Sequence, residues 1–452
     1  MQMNLFLKVS PSWRFAIGLY FFLRCFYALL AWAVMTVYPL AIANVTLFGQ
    51  SYLTIFDMRS SARRVYSPYV ENVLLAFAPA GRDSVMDLRT GSLWNAETGR
   101  AVQGYYTGKS LVELNEVVDT IFPYHGLDAY PQPLLAVWQR FDAIWYVSIA
   151  ERGYGAIPND VHFPPLYPWM IRALAWLVGD GFLAGMLISS LATILTFKLL
   201  YDLFLGWGDE ALARRGVMYF AIFPTSFFLF SAYTEGLLIA AVVLALSAMK
   251  NNAWLQAGFW IGCAILFRLQ GVALFFPLLY HLWKTRKTER WISYLPAILL
   301  PALTVGVYLL LRRQAGVGIV PLDESGLHAR ITFPWVNFIE SFRLVFSGKA
   351  GYIDGLNLLA SLSFLVLMIL GWKRMPLEYG LFALATFVIF TLRVVDTQPL
   401  NSMIRYLITL FPLFYVLAEW GKNGIVHRMV VYLFFALNLF LCVQFWAWGW
   451  VA

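Results

Sequence analysis

"RFDAIWYVSIAERGYG", residues 140–155, places Asp142 and Glu151 among phenylalanine, tryptophan and tyrosine in a chain dominated by long apolar runs. Whether this stretch crosses a membrane or lies against one decides how the runs on either side of it are counted. Pro133 opens the pattern and Gly153 closes it, as expected at the two ends of a helix. Over 133–152, helical spacing puts Trp138, Phe141, Trp145 and Ile149 on one stripe, with Asp142 at its edge. Such a helix is expected to lie on the membrane surface, aromatics down, and to hold a carboxylate at the interface.

Composition sets the medium around that helix. Of 452 residues, 60% are hydrophobic and 13% charged, so most of the chain needs surroundings that do not demand a polar surface. Cys25, Cys263 and Cys442 all fall inside apolar runs and the five histidines are scattered. No disulfide framework, metal site or cofactor is expected from that pattern. The net charge of +8 matches Lys and Arg flanking membrane spans; no nucleic-acid partner is indicated.

The first apolar run, 15–43, ends in Ala41-Ile42-Ala43, which has the form of a signal-peptidase site. Its length is about twice that of a signal-peptide core, so it is read as a retained first span. Further spans are expected at 182–205, 216–230, 232–249, 253–267, 269–283, 292–311, 356–372, 379–395, 404–420 and 430–450, which makes about eleven in all. The apolar run 163–178 is broken at its start by "FPPLYP" (163–168) and interrupted by Arg172. If it does not cross, Arg214-Arg215, Lys250, "KTRKTER" (284–290), Lys373-Arg374 and Lys422 all face the side of Lys8 and Arg14, as the positive-inside rule requires. It is therefore read as a second surface helix. Between the first span and the first surface helix, "DLRTGSLWNAETGRAVQGYY" (87–106) carries paired Thr-Gly turn signals between short apolar runs, the pattern of small β-hairpins.

The expected organisation is an all-α polytopic membrane protein: a first span in 1–43, a partly β non-cytoplasmic loop domain in 44–132, juxtamembrane helices in 133–180, a bundle in 181–312, a second non-cytoplasmic loop in 313–355, and C-terminal spans in 356–452. With this parity the polar oddities converge on the non-cytoplasmic face, as an active site roofing a bundle would require. Asp142 is the candidate general base, because a carboxylate at a desolvated interface can take a proton from a hydroxyl nucleophile. Arg268, in the middle of a long apolar run, is costly there unless paired or hydrated. Tyr233 and Glu235 of "SAYTEG" (231–236) are candidate substrate-binding residues, Glu235 either bonding a sugar hydroxyl or pairing with Arg268. His162, just before "FPPLYP", and Arg405 of "IRY" (404–406) are candidate phosphate ligands; an interfacial anchor is the plain alternative for Arg405.

Together these residues resemble the PIG-V-like mannosyltransferases, a family of the GT-C class of membrane glycosyltransferases. The matching elements are "FDAIWYVSIAERGY", "FPPLYP", "FPTSFFLFSAYTEG" (223–236), "FRLQG" (267–271) and "IRY", in the family's order. Phe141 stands where a tryptophan is common, and the loop before the motif is longer than in the family. The resemblance implies a GT-C-like bundle and an inverting transfer of a sugar, mannose, from a polyprenyl-phosphate donor to a hydroxyl of a glycolipid or cell-envelope glycan. That transfer would occur on the non-cytoplasmic face of the plasma membrane in a prokaryote, or of the endoplasmic reticulum in a eukaryote, with Asp142 as base. Two rival readings stay open: a transporter or flippase of lipid-linked sugars, against which there is no visible internal repeat, and an inactive partner subunit of a glycosyltransferase.

Overall fold

The computed structural model describes residues 10–37, 130–155, 160–314, 329–395, 398–447 and 449–451, together with the backbone of strand segments between 40 and 101. In chain order the helices are α1 (Pro11–Val37), α2 (Pro133–Ala136), α3 (Asp142–Arg152), α4 (Leu166–Val178), α5 (Gly181–Trp207), α6 (Glu210–Ala221), α7 (Glu235–Lys250), α8 (Trp254–Phe267), α9 (Phe275–Thr285), α10 (Leu295–Gln314), α11 (Pro334–Phe346), α12 (Tyr352–Gly371), α13 (Leu377–Leu392), α14 (Met403–Tyr406), α15 (Pro412–Trp420) and α16 (Gly424–Trp446). The chain divides into two compact units, one of residues 1–23, 149–439 and 452, the other of residues 24–148 and 440–451.

The first and larger unit is a helical bundle of membrane character. Within the whole chain, five helical stretches among the described residues are long and apolar enough to cross a bilayer, and a sixth is added if Met403–Thr409 and Pro412–Trp420, bent by 89°, form one broken span. The sequence expectation of about eleven counted apolar runs, and several of those runs do not fold as one long helix. α6 stops at Ala221, ahead of Pro224, and α7, α8 and α13 have 16, 14 and 16 residues. A helix of that length rises about 24 Å or less, short of about 30 Å of hydrocarbon. The architecture is that of an all-α polytopic integral membrane protein. α4, at 13 residues, is a short apolar helix that ends where Gly179 adopts φ 81°, the left-handed conformation that a Cβ disfavours.

Helices α8 and α10 pack at close range through Gly258 and Gly262, a small-residue pair one turn apart. A Cβ at Gly258 would run into the carbonyl oxygen of Pro296, and one at Gly262 would lie 2.9 Å from the Thr304 methyl. Small residues permit this approach where no hydrophobic drive separates helix from lipid. A short antiparallel ladder joins Ala329–Ile331 to Arg393–Val395.

The second unit holds the strands. Leu40–Leu47, Gln50–Asp57 and Arg63–Tyr66 form one antiparallel sheet, and Leu75–Phe77, Ser84–Asp87, Leu93–Asn95 and Arg100–Ala101 form another. The hairpins read from residues 87–106 correspond to the last three strands; the Thr-Gly turns themselves lie outside the described residues. This unit also corrects the reading of 133–152 as one helix. α2 ends at Ala136, Phe141 turns the chain with φ 47°, and α3 begins at Asp142. The break follows from packing: Trp138 is buried edge-on against Tyr27 and Trp446, with ring centroids 5.7 and 5.3 Å away. Trp138 therefore packs within the protein and not on a lipid-facing stripe. Arg140 is buried with it, its Nε donating to the Trp446 carbonyl at 3.0 Å and its Nη1 to the Ala136 carbonyl at 2.8 Å. One guanidinium thus bonds the last carbonyls of two helices, adding to the Gln139 N–H that the Ala136 carbonyl already accepts.

Candidate functional site

Within the bundle unit, four residues chosen from sequence come into contact. Glu235 Oε1 accepts from Arg268 Nη1 at 2.5 Å and from Arg405 Nε at 2.7 Å. Glu235 is 1% exposed, Arg405 5% and Arg268 11%. The Arg405 guanidinium lies over the rings of Phe228 and Tyr233, 4.6 and 4.8 Å from their centroids, and Arg268 lies over Tyr406 at 5.6 Å. One carboxylate faces two guanidiniums in a desolvated setting. Charge-assisted bonds and aromatic faces offset part of the cost of burying those ions.

Each member is aimed by an irregular piece of backbone. Pro224 cannot continue α6, and the chain runs through a 3₁₀ turn, Ser226–Phe230, before α7 starts at Glu235. Non-helical backbone inside an apolar bundle needs partners for its polar groups within the protein. Three hydroxyls on one side of α5 supply them: Ser189 donates to the Tyr233 carbonyl at 2.8 Å, Thr193 to that of Leu229 at 2.7 Å and Thr196 to that of Gly236 at 2.8 Å. Asn438 donates to the Phe223 carbonyl at 2.8 Å. "FPPLYP" joins this network through Tyr167, whose hydroxyl is 2.7 Å from that of Ser189.

Arg268 sits in an extended conformation just past the end of α8. The following turn folds back onto that helix, and a Cβ at Gly271 would lie 2.5 Å from backbone atoms of Ala264 and Ile265. The arginine-to-glycine spacing of "FRLQG" therefore has a steric cause: only glycine lets the chain double back there and leave Arg268 at the break. Arg405 is on α14, preceded by Leu400 and Ser402 at φ 54° and 62°, conformations that cost non-glycine residues energy and persist where surroundings enforce them. Asn337 and Asn357 do so, accepting from the backbone N–H of Leu400 at 2.8 Å and of Ile404 at 2.9 Å. Thr225 donates to the Ile404 carbonyl at 3.0 Å, which ties the Pro224 loop to the Arg405 loop.

His162 ends the short turn Asp160–His162 and is half-buried. The Val161 carbonyl accepts from Tyr308 at 2.8 Å and from the buried Arg312 at 3.4 Å. Asp142, in the second unit, is the first residue of α3 and half-buried. Among the described residues no group of three or more His, Cys, Asp or Glu side chains is placed to hold a metal ion.

Sequence reasoning did not pick out Ser189, Thr193, Thr196, Asn337, Asn357 or Asn438. A signal existed in the first three: they recur at helical spacing in a mostly apolar 27-residue helix, and a polar stripe inside a span points at something polar.

Residues 162–312 match the family model described as dolichyl-phosphate-mannose-protein mannosyltransferase. His162, Tyr233, Glu235 and Arg268 lie inside the matched segment, while Asp142 and Arg405 lie outside it. The PIG-V-like family, which the motifs resemble, is a different one. No curated protein shows significant sequence similarity to the chain. Among solved structures, ArnT from Cupriavidus metallidurans, crystallised with undecaprenyl phosphate, is similar with a TM-score of 0.43 and 17% identity over 64% of this chain and 58% of its own.

Proposed function

We propose that this chain is an inverting GT-C glycosyltransferase that moves a sugar, mannose, from a polyprenyl-phosphate donor to a hydroxyl of a glycolipid or cell-envelope glycan on the non-cytoplasmic side of its membrane. The observation that carries this reading is the buried centre of Glu235, Arg268 and Arg405. Its two guanidiniums suit a phosphate at the point where sugar and lipid join, since charge-assisted contacts to phosphate are strong where water is scarce. The mannosyltransferase family match over 162–312 supports the same chemistry, and the PIG-V-like motifs support mannose as the sugar.

In this mechanism the acceptor oxygen bonds to the anomeric carbon on the face opposite the phosphate. The bond from that carbon to the phosphate oxygen breaks, its electron pair stays on the phosphate, and Asp142 takes the acceptor's proton. Arg268 and Arg405 stabilise the charge that gathers on the leaving phosphate, an effect that is large in a preorganised, water-poor site. His162 and Tyr233 complete the set proposed to contact donor or acceptor.

The test is transfer by purified protein from radiolabelled polyprenyl-phosphate mannose to lipid extracts of its host. Label is expected in a glycolipid or glycan fraction, and Arg268→Ala is expected to weaken both donor binding and turnover. Equal transfer from a nucleotide-linked mannose, with no lipid carrier present, would overturn the assignment.

A further inference from the structure

Helix α11 buries polar side chains and exposes aromatic ones. Pro334 opens it, and Gly348, at φ 71°, follows its end, each residue type at the end of a helix that favours it. The two side chains it buries are Asn337 and Ser341. Trp335, Ile339, Phe342 and Phe346 are exposed, Trp335 by 58% and Phe346 by 84%. Those four recur at intervals of four, three and four residues, so they form one narrow stripe on the side away from Asn337 and Ser341. A helix packed on a protein core with its other side in water shows the reverse arrangement.

What the stripe faces is set by the chain that follows. Only residues 347–351 separate α11 from Tyr352, the first residue of an apolar span that runs to Arg374. So short a connection reaches about 20 Å at most, and α11 therefore ends close to the membrane face at which that span begins. Midway along α11, Arg343 pairs with Glu340 at 2.8 Å, and the Arg343 side chain is 71% exposed. Such a pair is costly in hydrocarbon, so α11 does not cross the bilayer. Aromatic side chains, tryptophan among them, are favoured at headgroup level, and an amphipathic helix with its apolar side in that layer lies along the membrane surface.

We propose that α11 binds the lipid surface through its aromatic stripe and anchors to the bilayer the loop that carries Arg405. The link is Asn337, on the opposite side of the helix. Its Nδ2 donates to the carbonyls of Thr391 and Arg393 at 3.1 and 2.6 Å, and its Oδ1 accepts from the N–H of Leu400 at 2.8 Å. Leu400 and Ser402 hold positive φ angles, and α14 with Arg405 follows directly. One side chain thus joins the lipid-facing helix to the start of the Arg405 loop. The seat in the lipid and the link to Leu400 are independent of the role proposed for Arg405; their consequence for phosphate binding rests on that role.

The test uses the full-length protein in nanodiscs of phosphatidylethanolamine and phosphatidylglycerol. With Cys25, Cys263 and Cys442 replaced by alanine, a nitroxide is attached to one new cysteine at a time. In Ile339→Cys and Phe342→Cys the label is expected to be relaxed mainly by oxygen, which concentrates in lipid, and in Arg343→Cys and Ser347→Cys mainly by a water-soluble nickel chelate. Relaxation of the first two mainly by the chelate would put the stripe in water and overturn the proposal. Shielding of those two from both reagents would assign the stripe to a second copy or another protein and overturn it as well. The link is read separately by hydrogen exchange with the native cysteines in place. Phe342→Ser/Phe346→Ser is expected to speed exchange of the Leu400 amide by about fivefold, the equivalent of one lost hydrogen bond. Leu303→Ser, which removes an exposed apolar side chain of α10, is expected to leave that amide unchanged. No acceleration in the first variant, or equal acceleration in both, overturns the anchoring of the loop. Neither measurement reads phosphate binding or turnover, so loss of the proposed glycosyltransferase activity would leave both results standing.

Discussion

Arg405 and Glu235 stand 170 residues apart in the chain and meet at 2.7 Å. Both are buried, and Glu235 accepts from Arg268 as well, at 2.5 Å. Arg405→Ala is therefore expected to destabilise the protein by about 3–5 kcal/mol, the usual cost of removing one partner from a buried pair. Arg405→Lys keeps the charge but loses the Nε bond and the planar stacking on Phe228 and Tyr233, so it should fall between wild type and Ala. Thermal unfolding in detergent measures both, and an unchanged midpoint for Arg405→Ala would show that the pair does not hold the fold.

A second prediction concerns the α8–α10 contact. Gly258→Ala places a methyl group where the Pro296 carbonyl already lies, and overpacking of this kind costs about 1–3 kcal/mol. Gly206→Ala is the control, since nothing lies within 4 Å of the added Cβ and alanine is the better helix former. The first variant should unfold at a lower temperature than wild type and the second should not. Equal midpoints for the two would mean that the helices have room to separate.

Asp142→Asn tests the proposed base. The residue is half-buried at the start of α3, and asparagine keeps its size, so the fold and donor binding should survive. Turnover should fall by about two to four orders of magnitude, the scale for loss of a general base. Wild-type turnover in this variant would remove Asp142 from the mechanism.

Sidedness is open to chemical labelling. With basic loops on the cytoplasmic side, a single cysteine at Ser347 should react with an impermeant thiol reagent from outside, and one at Thr288 should not; both positions are exposed. Ser231, on the same proposed outer side, is buried and cannot report. The opposite pattern of labelling would invert the orientation and move the proposed active site to the cytoplasmic face.

Membrane character was legible in composition and run length, because the bilayer imposes its thickness on any chain that crosses it. The polar residues stood out for a related reason: Glu235, Arg268 and Arg405 are expensive in apolar surroundings, so their presence signalled partners before any partner was known. Pairing of Glu235 with Arg268 was one of two readings the sequence allowed, and the structure shows it; that Arg405 joins them was not legible. Residue spacing along the chain carries no information about which loops meet, and the union of residues 235, 268 and 405 is a product of helix packing. The same holds for 133–152, where local periodicity favoured one amphipathic helix and tertiary packing won, burying Trp138 against Tyr27 and Trp446 and turning the chain at Phe141. Apolar run length also overcounted long helices, since it registers hydrophobicity but not the breaks at Pro224 and at the Arg268–Gly271 turn. By itself the sequence determined the solvent this protein lives in and the few residues that do not belong there. The tertiary structure alone decided how they are reconciled with it, by setting one buried carboxylate between two arginines and satisfying the broken backbone around them with side chains from distant helices.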